Sequence, residues 1–359
     1  MAQLDKIAFG LVASYTFTEQ TSLVDWILSP ESSAFFDLST RPDWLRILPS
    51  DTVTLALRPY PGEQYVVEAE IDYTPQAETD LGGLVLWNTA DDNVRLAVTS
   101  AGSPYRYLRF KVASGWSYAV GSTDGTAWEF AGAVTPGAGA LPGLFVEGSA
   151  YLDVARLYIA RDLVITVANL PAGGTAALYD ANGTLLASAA AVDTTASLKL
   201  SSCPLVLEGY IQVRAADGSL LAQTEAMELA GGDIFWYNSL DVSVQLEDQV
   251  LIPGQEVDLG GFVEGAIERR LVITNNSTTP ASNVAVKGLV YGDYLGWQWV
   301  SFAPEVSGVP GEYVAELTIS AIEPGQSVPV WLKVTRQEFY PCTAHVKHKF
   351  LLLITGGGG

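Results

Sequence analysis

Few side chains in this sequence combine the types and spacings that chemistry requires. The two histidines, His345 and His348, stand near the C-terminal end with Cys342 close by. Three such ligands without a fourth make a poor tetrahedral metal site, and on a strand a spacing of three sends the two imidazoles to opposite faces. No metal site is expected there, and a serine or cysteine nucleophile elsewhere has no imidazole to activate it. Acids are the other resource. The run Tyr65–Tyr73 alternates, with Val67, Ala69, Ile71 and Tyr73 on one face and Val66, Glu68, Glu70 and Asp72 on the other. That period marks a half-buried strand, and its acids read as a solvated face. The turns Asp91-Asp92-Asn93 and Asp124-Gly125 carry oxygens suited to a hard cation such as calcium, but their composition is that of ordinary turns. Glycine-rich phosphate loops in a strand-to-helix context are missing from the sequence, so no nucleotide cofactor is expected. The matches Asn182-Gly183-Thr184 and Asn276-Ser277-Thr278 to a glycan acceptor read as chance. No catalytic residue, cofactor-binding residue or metal ligand is assigned.

Aromatic rings offer the better binding chemistry, because an exposed ring stacks on the apolar face of a sugar. The first part of the chain holds Trp87, Tyr105, Tyr107, Trp116, Tyr118 and Trp128. Of these, Trp87, Tyr105 and Trp116 are the candidates for contact with a glycan or a partner. Further on, Trp297 and Trp299 share one face by period two, either as a core ladder or as an interface anchor.

The elements that position these groups are strands. Apolar recurrence at i, i+3, i+4 never persists without Gly, Pro or β-branched interruption, so long amphipathic helices are not expected. Strand-like runs include Leu84–Trp87, Val94–Thr99, Tyr105–Val112 and Leu152–Ala160, punctuated by Pro61-Gly62, Ala101-Gly102-Ser103 and Asp124-Gly125. The opening segment reads as one strand, Ile7–Phe17. Its preceding charges Asp5 and Lys6 cancel and Gly10, Ser14 and Thr16 interrupt it, which does not suit an export signal. After Arg161 the texture turns Ala-, Thr- and Leu-rich, with short strands at Leu163–Asn169, Thr175–Tyr179, Thr184–Ser188, Ala196–Leu200 and Gly209–Arg214. Glu225–Gly261 reads as an interdomain crossing with a strand at Asp241–Leu246.

The 359 residues suit two or three domains. We expect an all-β chain of three tandem antiparallel β-sandwiches: residues 1–161, a small immunoglobulin-like unit at 162–232, and a C-terminal immunoglobulin-like unit with a linker strand at 233–355, followed by a flexible glycine tail at 356–359. Composition excludes several roles. With 19 Lys and Arg against 40 Asp and Glu the net charge is −21, which repels nucleic acid and anionic membrane surfaces. The longest apolar tail, Phe350–Ile354, falls far short of the roughly 18 residues of a membrane span, so membrane insertion is not expected. Cys203 and Cys342 are too few and too far apart for a disulfide scaffold and read as small apolar filler.

Particular motifs carry resemblances. Trp44-Leu45-Arg46-Ile47, Leu55-Ala56-Leu57-Arg58, the Glu68–Tyr73 strand, Leu81–Trp87 and Ser122–Trp128 together resemble the concanavalin A-like sandwich appended to xylosidases and found in enolase-regulator-like proteins. Glucanases of that fold carry Glu-x-Asp-x-x-Glu on a strand. Here Glu70-Ile71-Asp72 begins the pattern, but Pro75 stands where its last carboxylate belongs. A retaining pair about 5–5.5 Å apart is then not supplied. In the last unit, Leu271–Ser277, Ala281–Val286 and Ile322–Val328 resemble adhesion-type immunoglobulin-like modules of cell surfaces and virions, while Gly296–Ser301 followed by Gly308–Glu312 resembles repeats of phage tail and baseplate proteins.

These resemblances imply a non-enzymatic structural component of a phage virion: tail, baseplate, neck or capsid-surface fibre. It would assemble in the host cytoplasm and contact other virion proteins and copies of itself. The alternative is a carbohydrate-binding module protein, extracellular, that recognises polysaccharide or host-surface glycan.

Overall fold

The computed structural model describes residues 3–17, 23, 25–101, 105–113, 115–251, 257–260, 265–290, 299–335 and 350–358. It is an all-β fold built on multiple antiparallel sheets, and among the described residues helical structure is limited to 3-10 geometry, at the turn Ser33–Phe35 and at Trp299. The first unit stacks two sheets. The larger runs in the order Glu129–Val134, Trp116–Ser122, Tyr107–Ala113, Gln64–Tyr73, Leu152–Ala160, Leu45–Ile47, Phe36–Asp37, with Leu11–Thr16 also pairing with Leu152–Ala160. The smaller has Leu141–Glu147 at its centre, between Thr54–Leu57 and Leu81–Trp87. Between the sheets lies a core that includes Leu45, Ile71, Leu84, Leu108, Phe110 and Leu144, all essentially inaccessible to water.

The expected period-two face of Gln64–Tyr73 is present, since Tyr65, Val67, Ala69 and Ile71 enter that core. Its opposite face is not the solvated one the alternation predicts: Val66, Glu68 and Glu70 are buried as well. The covering elements come from far along the chain, so a local pattern could not reveal them. Turns are where the sequence places them, and Gly62, Gly125, Gly183 and Gly218 all have positive φ. Only glycine adopts that conformation without steric cost.

The opening strand departs from expectation. Instead of one strand over Ile7–Phe17 there are two, Gln3–Ala8 and Leu11–Thr16. Gln3–Ala8 pairs antiparallel with Ile234–Asn238, whereas Leu11–Thr16 pairs with Leu152–Ala160 in the first unit. The chain changes sheets at Gly10, packed so tightly on Gly231 and Gly232 that a Cβ there would sit 2.1 Å from the Gly231 carbonyl oxygen. Sheet pairing thus crosses the expected boundaries at 161/162 and 232/233.

The second unit packs Gln3–Ala8, Ile234–Asn238, Val164–Ala168 and Ala196–Lys199 over a five-stranded sheet. That sheet is ordered Leu185–Ala190, Thr175–Asp180, Val206–Arg214, Leu220–Gln223, with Met227–Ala230 also on Val206–Arg214. One pairing is parallel, Val164–Ala168 with Ile234–Asn238, because the chain completes the whole five-stranded sheet before it returns. The crossing expected from Glu225 therefore starts later: Tyr237 belongs to the second core and Leu240 to the third.

The third unit pairs Ala266–Asn275 with Val242–Leu246 and Ser327–Thr335, facing a sheet ordered Glu316–Ile322, Ala281–Val290, Phe350–Gly358. Here the expected flexible tail is corrected. Gly356–Gly358 continues the last strand, with Gly357 opposite Ser282 and Gly358 opposite Ala281. A Cβ at Gly356 would approach the Ser282 carbonyl oxygen to 2.9 Å, so glycine suits the close passage. No helix is long and apolar enough to cross a membrane among the described residues.

One turn of the first unit makes a pH prediction. Asp80 accepts hydrogen bonds from the amides of Gln76, Ala77 and Ser149 and from the Ser149 hydroxyl. The Ser149 amide first, with the others, holds its carboxyl below the ordinary range. A depressed folded-state pKa contributes stability above the unfolded value of about 3.9 and loses it as pH falls through the folded value. Asp80→Asn should therefore lower stability at pH 6 and flatten the loss on acidification below about pH 4, measured by urea midpoints.

Candidate functional site

The outward face of the large sheet carries the polar chemistry of the first unit, in rows fixed by strand register. One row reads Val120, Arg109, Glu68, Tyr158, Ser14 and the next Ser122, Tyr107, Glu70, Arg156, Thr16. A further row joins Asp72, Asp153 and Arg46. Successive rows lie about 6.6 Å apart along the strands.

The second unit roofs one half of this face. Val66, Tyr158 and Ala160 are part of its core, and Arg109 reaches into it, 1% exposed. Arg109 Nε donates to Glu68 Oε2 at 2.7 Å and Nη2 pairs with the same oxygen; the guanidinium also donates to the carbonyls of Leu200 (3.1 Å) and Cys203 (2.9 Å). Glu68 Oε1 accepts from the Leu205 amide at 3.2 Å. The Trp128 ring closes the other side of the guanidinium at 3.8 Å from its centroid. Cys203, buried beside this pair, is a free thiol pushed up to about 11, chiefly by burial.

The other half remains open. Glu70 is clamped from both sides, with Arg106 Nη2 at 2.6 Å from one carboxylate oxygen and Arg156 Nε at 2.5 Å from the other. Arg41 bridges Asp72 (2.8 Å) and Asp153 (3.0 Å), and Arg46 takes Asp153 as well (2.8 Å). A groove of about 350 Å³ opens beside them, lined by Phe17, Asp43, Trp44, Glu70 and Arg156 among others. Arg41 lies over the Trp44 ring, 3.6 Å from its centroid, and the half-buried indole lines the groove. Asp43 holds φ +63°, a left-handed conformation Asp tolerates better than most residues. Each acid of the Glu70-x-Asp72 pair is thus bonded to arginine. The groove offers an indole, an exposed carboxylate and a guanidinium, which is equipment for holding a polar ring.

The aromatic candidates do not converge on this groove. Trp87 lies on the smaller sheet, half-buried against Phe145 and its neighbours, with Arg95 5.8 Å from its ring. Tyr105 is laid over Gly121 and pinned by its hydroxyl, which donates to Glu129 at 2.9 Å. Trp116 is 46% exposed and stacked on Tyr118 at 5.8 Å, on the outer face near the second unit. Trp299 is buried at 7% exposure, and Trp297 lies outside the described residues, as do Cys342, His345 and His348. The acidic turns act locally: the Asp124 carboxylate accepts from the amides of Thr126 and Ala127, which hold it well below the usual range, and Asp92 accepts from Asn88.

Sequence reasoning passed over Trp44, Asp43, Arg41 and Arg156 as site residues. The available signal was alternation: Arg156 and Glu70 occupy outward positions on strands that the sequence already marks.

Residues 14–127 match the family model described as the beta xylosidase C-terminal concanavalin A-like domain. The first unit is a concanavalin A-like β-sandwich. Among solved structures, the GH43 protein BlXynB of Bacillus licheniformis is 15% identical over 41% of this chain and 39% of its own, with a TM-score of 0.38. The xylan beta-1,4-xylosidase of Bacillus halodurans C-125 is 16% identical over 41% of this chain and 38% of its own, TM-score 0.33. The exoplasmic/lumenal domain of VIP36, in a Ca2+/Man3GlcNAc-bound form, is 12% identical over 41% and 87%, TM-score 0.30. This chain spans about 39% of the length of the first of these. A search of curated proteins finds no match.

The match corrects the expectation of a phage virion component. What aligns is a domain of carbohydrate-active proteins, while half of the Gly296–Ser301 motif behind the phage reading, residues 296–298, falls outside the described residues.

Proposed function

We propose that this chain is a non-catalytic carbohydrate-binding protein, whose concanavalin A-like unit holds an oligosaccharide in the groove beside Trp44. The observation that carries the reading is that groove itself, on the open half of the outer face, with an indole, Asp43 and Arg156 at its walls. Glu70, Asp72 and Asp153 are each held by arginine, so their carboxylate oxygens are engaged within the protein, an arrangement that favours binding as the role of this groove. In this reading the second and third units serve as carriers of the first.

The test is calorimetric titration of the full chain with neutral β-linked oligosaccharides, xylohexaose first. Trp44→Ala should weaken binding by about tenfold or more, because truncating a ring that packs on the ligand costs roughly 1.5–3 kcal/mol. Unchanged affinity in Trp44→Ala, or no binding across a panel of xylo-, gluco- and manno-oligosaccharides, would sink the reading. Release of reducing ends from xylohexaose, abolished in Glu70→Gln, would instead make the chain an enzyme.

A further inference from the structure

The outward face of the five-stranded sheet in the second unit has a composition unlike the rest of the molecule. Its inward partners, Ala176, Leu178, Ile211, Val213 and Ala222, fill the second core. Register sets the outward positions into rows. Tyr179 stands opposite Tyr210, and Leu185, 54% exposed, stands opposite Tyr179 on the other side. The next row reads Ser188, Ala177, Gln212, Gln223, and the one after it Ala190, Thr175, Arg214, Leu220.

Three features of this face point the same way. The two tyrosine rings are stacked nearly parallel, with centroids 5.1 Å apart and planes 10° apart, forming one aromatic ridge of fixed orientation. Across from the ridge, a chain of planar groups is held in place by its own hydrogen bonds. Gln212 donates to Gln223 at 2.8 Å, and Arg214 donates to Gln212 at 3.0 Å and to the Gly218 carbonyl at 3.0 Å. Beside the amides and the guanidinium, in their own rows, the small side chains of Ala177, Ser188 and Thr175 leave a low floor next to the ridge. Charge completes the description. Arg214 is the one ionised side chain in these three rows, in a chain of net charge −21, and its hydrogen bonds go to neutral oxygens.

We infer that this face is a second binding platform, separate from the groove beside Trp44, and that its ligand is a neutral pyranose oligosaccharide. The apolar face of a sugar ring packs against an aromatic wall, and its paired hydroxyls are met by fixed amide and guanidinium groups, whose ordering cost is low because they are already oriented. Polyanionic chains are disfavoured by the field of the whole molecule, which leaves neutral sugars as the class this face complements.

The experiment uses the full chain carrying Trp44→Ala, which weakens the first groove, titrated calorimetrically with xylohexaose, cellohexaose and mannohexaose; the Tyr210 and Gln212/Gln223 changes then tell platform binding from what remains in the groove. At least one hexaose is expected to bind with a stoichiometry near one. Tyr210→Ala in that background should then weaken it by about tenfold or more, and Tyr210→Phe, which keeps the ring, by no more than about twofold. Gln212→Ala combined with Gln223→Ala removes polar contacts from a solvated face without touching the core, and carries the test should Tyr210→Ala fail to fold. Absence of binding by all three hexaoses to the Trp44→Ala chain overturns the proposal, as does binding that survives both sets of changes. Tighter binding of an oligogalacturonate than of any neutral hexaose also overturns it.

Discussion

Replacing Arg109 by Met is expected to cost about 3–5 kcal/mol of stability, because it leaves the Glu68 carboxylate buried at the boundary of two units without its counter-ion. Arg109 and Glu68 are 1% and 5% exposed at their side chains, so water cannot take over the lost contacts. The same change orphans the Leu200 and Cys203 carbonyls, each of which now accepts from the guanidinium. Chemical denaturation followed by tryptophan fluorescence measures the loss. A second consequence concerns cooperativity. Val66, Tyr158 and Ala160 of the first unit lie in the core of the second, so the two should melt together in the parent protein and separate in the variant. The double variant Glu68→Gln/Arg109→Met should recover part of the loss, since the uncompensated charge is gone. A single variant within about 1 kcal/mol of the parent would show that this pair does not hold the two units together.

Asp233→Ala should destabilise by a similar amount, about 3–5 kcal/mol, through another buried carboxylate. Asp233 is fully inaccessible; its oxygens accept from the amides of Gly10 (2.8 Å) and Ala230 (2.7 Å) and pair with Lys6 Nζ (2.7 Å). Those partners sit on either side of the place where the chain leaves the second unit for the first. Removing the carboxylate leaves two buried amides without their acceptor and Lys6 with only the Glu228 carbonyl and its aromatic neighbours, and the strand Gln3–Ala8 loses the anchor at its end. Limited proteolysis should find new cleavage within the first ten residues of Asp233→Ala, and thermal unfolding should start earlier. Asp233→Asn keeps an acceptor oxygen for one amide, so its loss is expected to be smaller. If Asp233→Ala matches the parent in both measurements, the N-terminal strand is held by its ladder alone.

Much of the architecture could be read from residue order. The strand Leu152–Ala160 appears with the bounds its alternation implies, and the glycine turns at Gly62, Gly125, Gly183 and Gly218 hold the positive φ their dipeptides suggest. These features depend on neighbours in the chain. The concanavalin A-like motifs also pointed to the right fold for the first unit, because they record a packing pattern spread over a hundred residues. The groove proposed to bind sugar was less legible. Aromatic content led to Trp87, Tyr105 and Trp116, whereas the ring that lines a groove is Trp44, whose neighbourhood depends on Glu70 and Arg156 arriving from distant strands.

Composition and periodicity by themselves determined that this chain folds as β-sheet, where its tight turns fall, and that it carries a net charge of −21. Tertiary structure alone decided which face of each strand is covered. It buried Glu68 with Arg109, clamped Glu70 between two arginines, divided the opening segment between two sheets at Gly10 and drew the terminal glycines into a ladder. The physical reason is that alternation fixes only which side chains share a side of a strand. Whether that side meets water, an arginine or another sheet is settled by segments more than two hundred residues away in the longest case, through contacts whose free energy no local window contains.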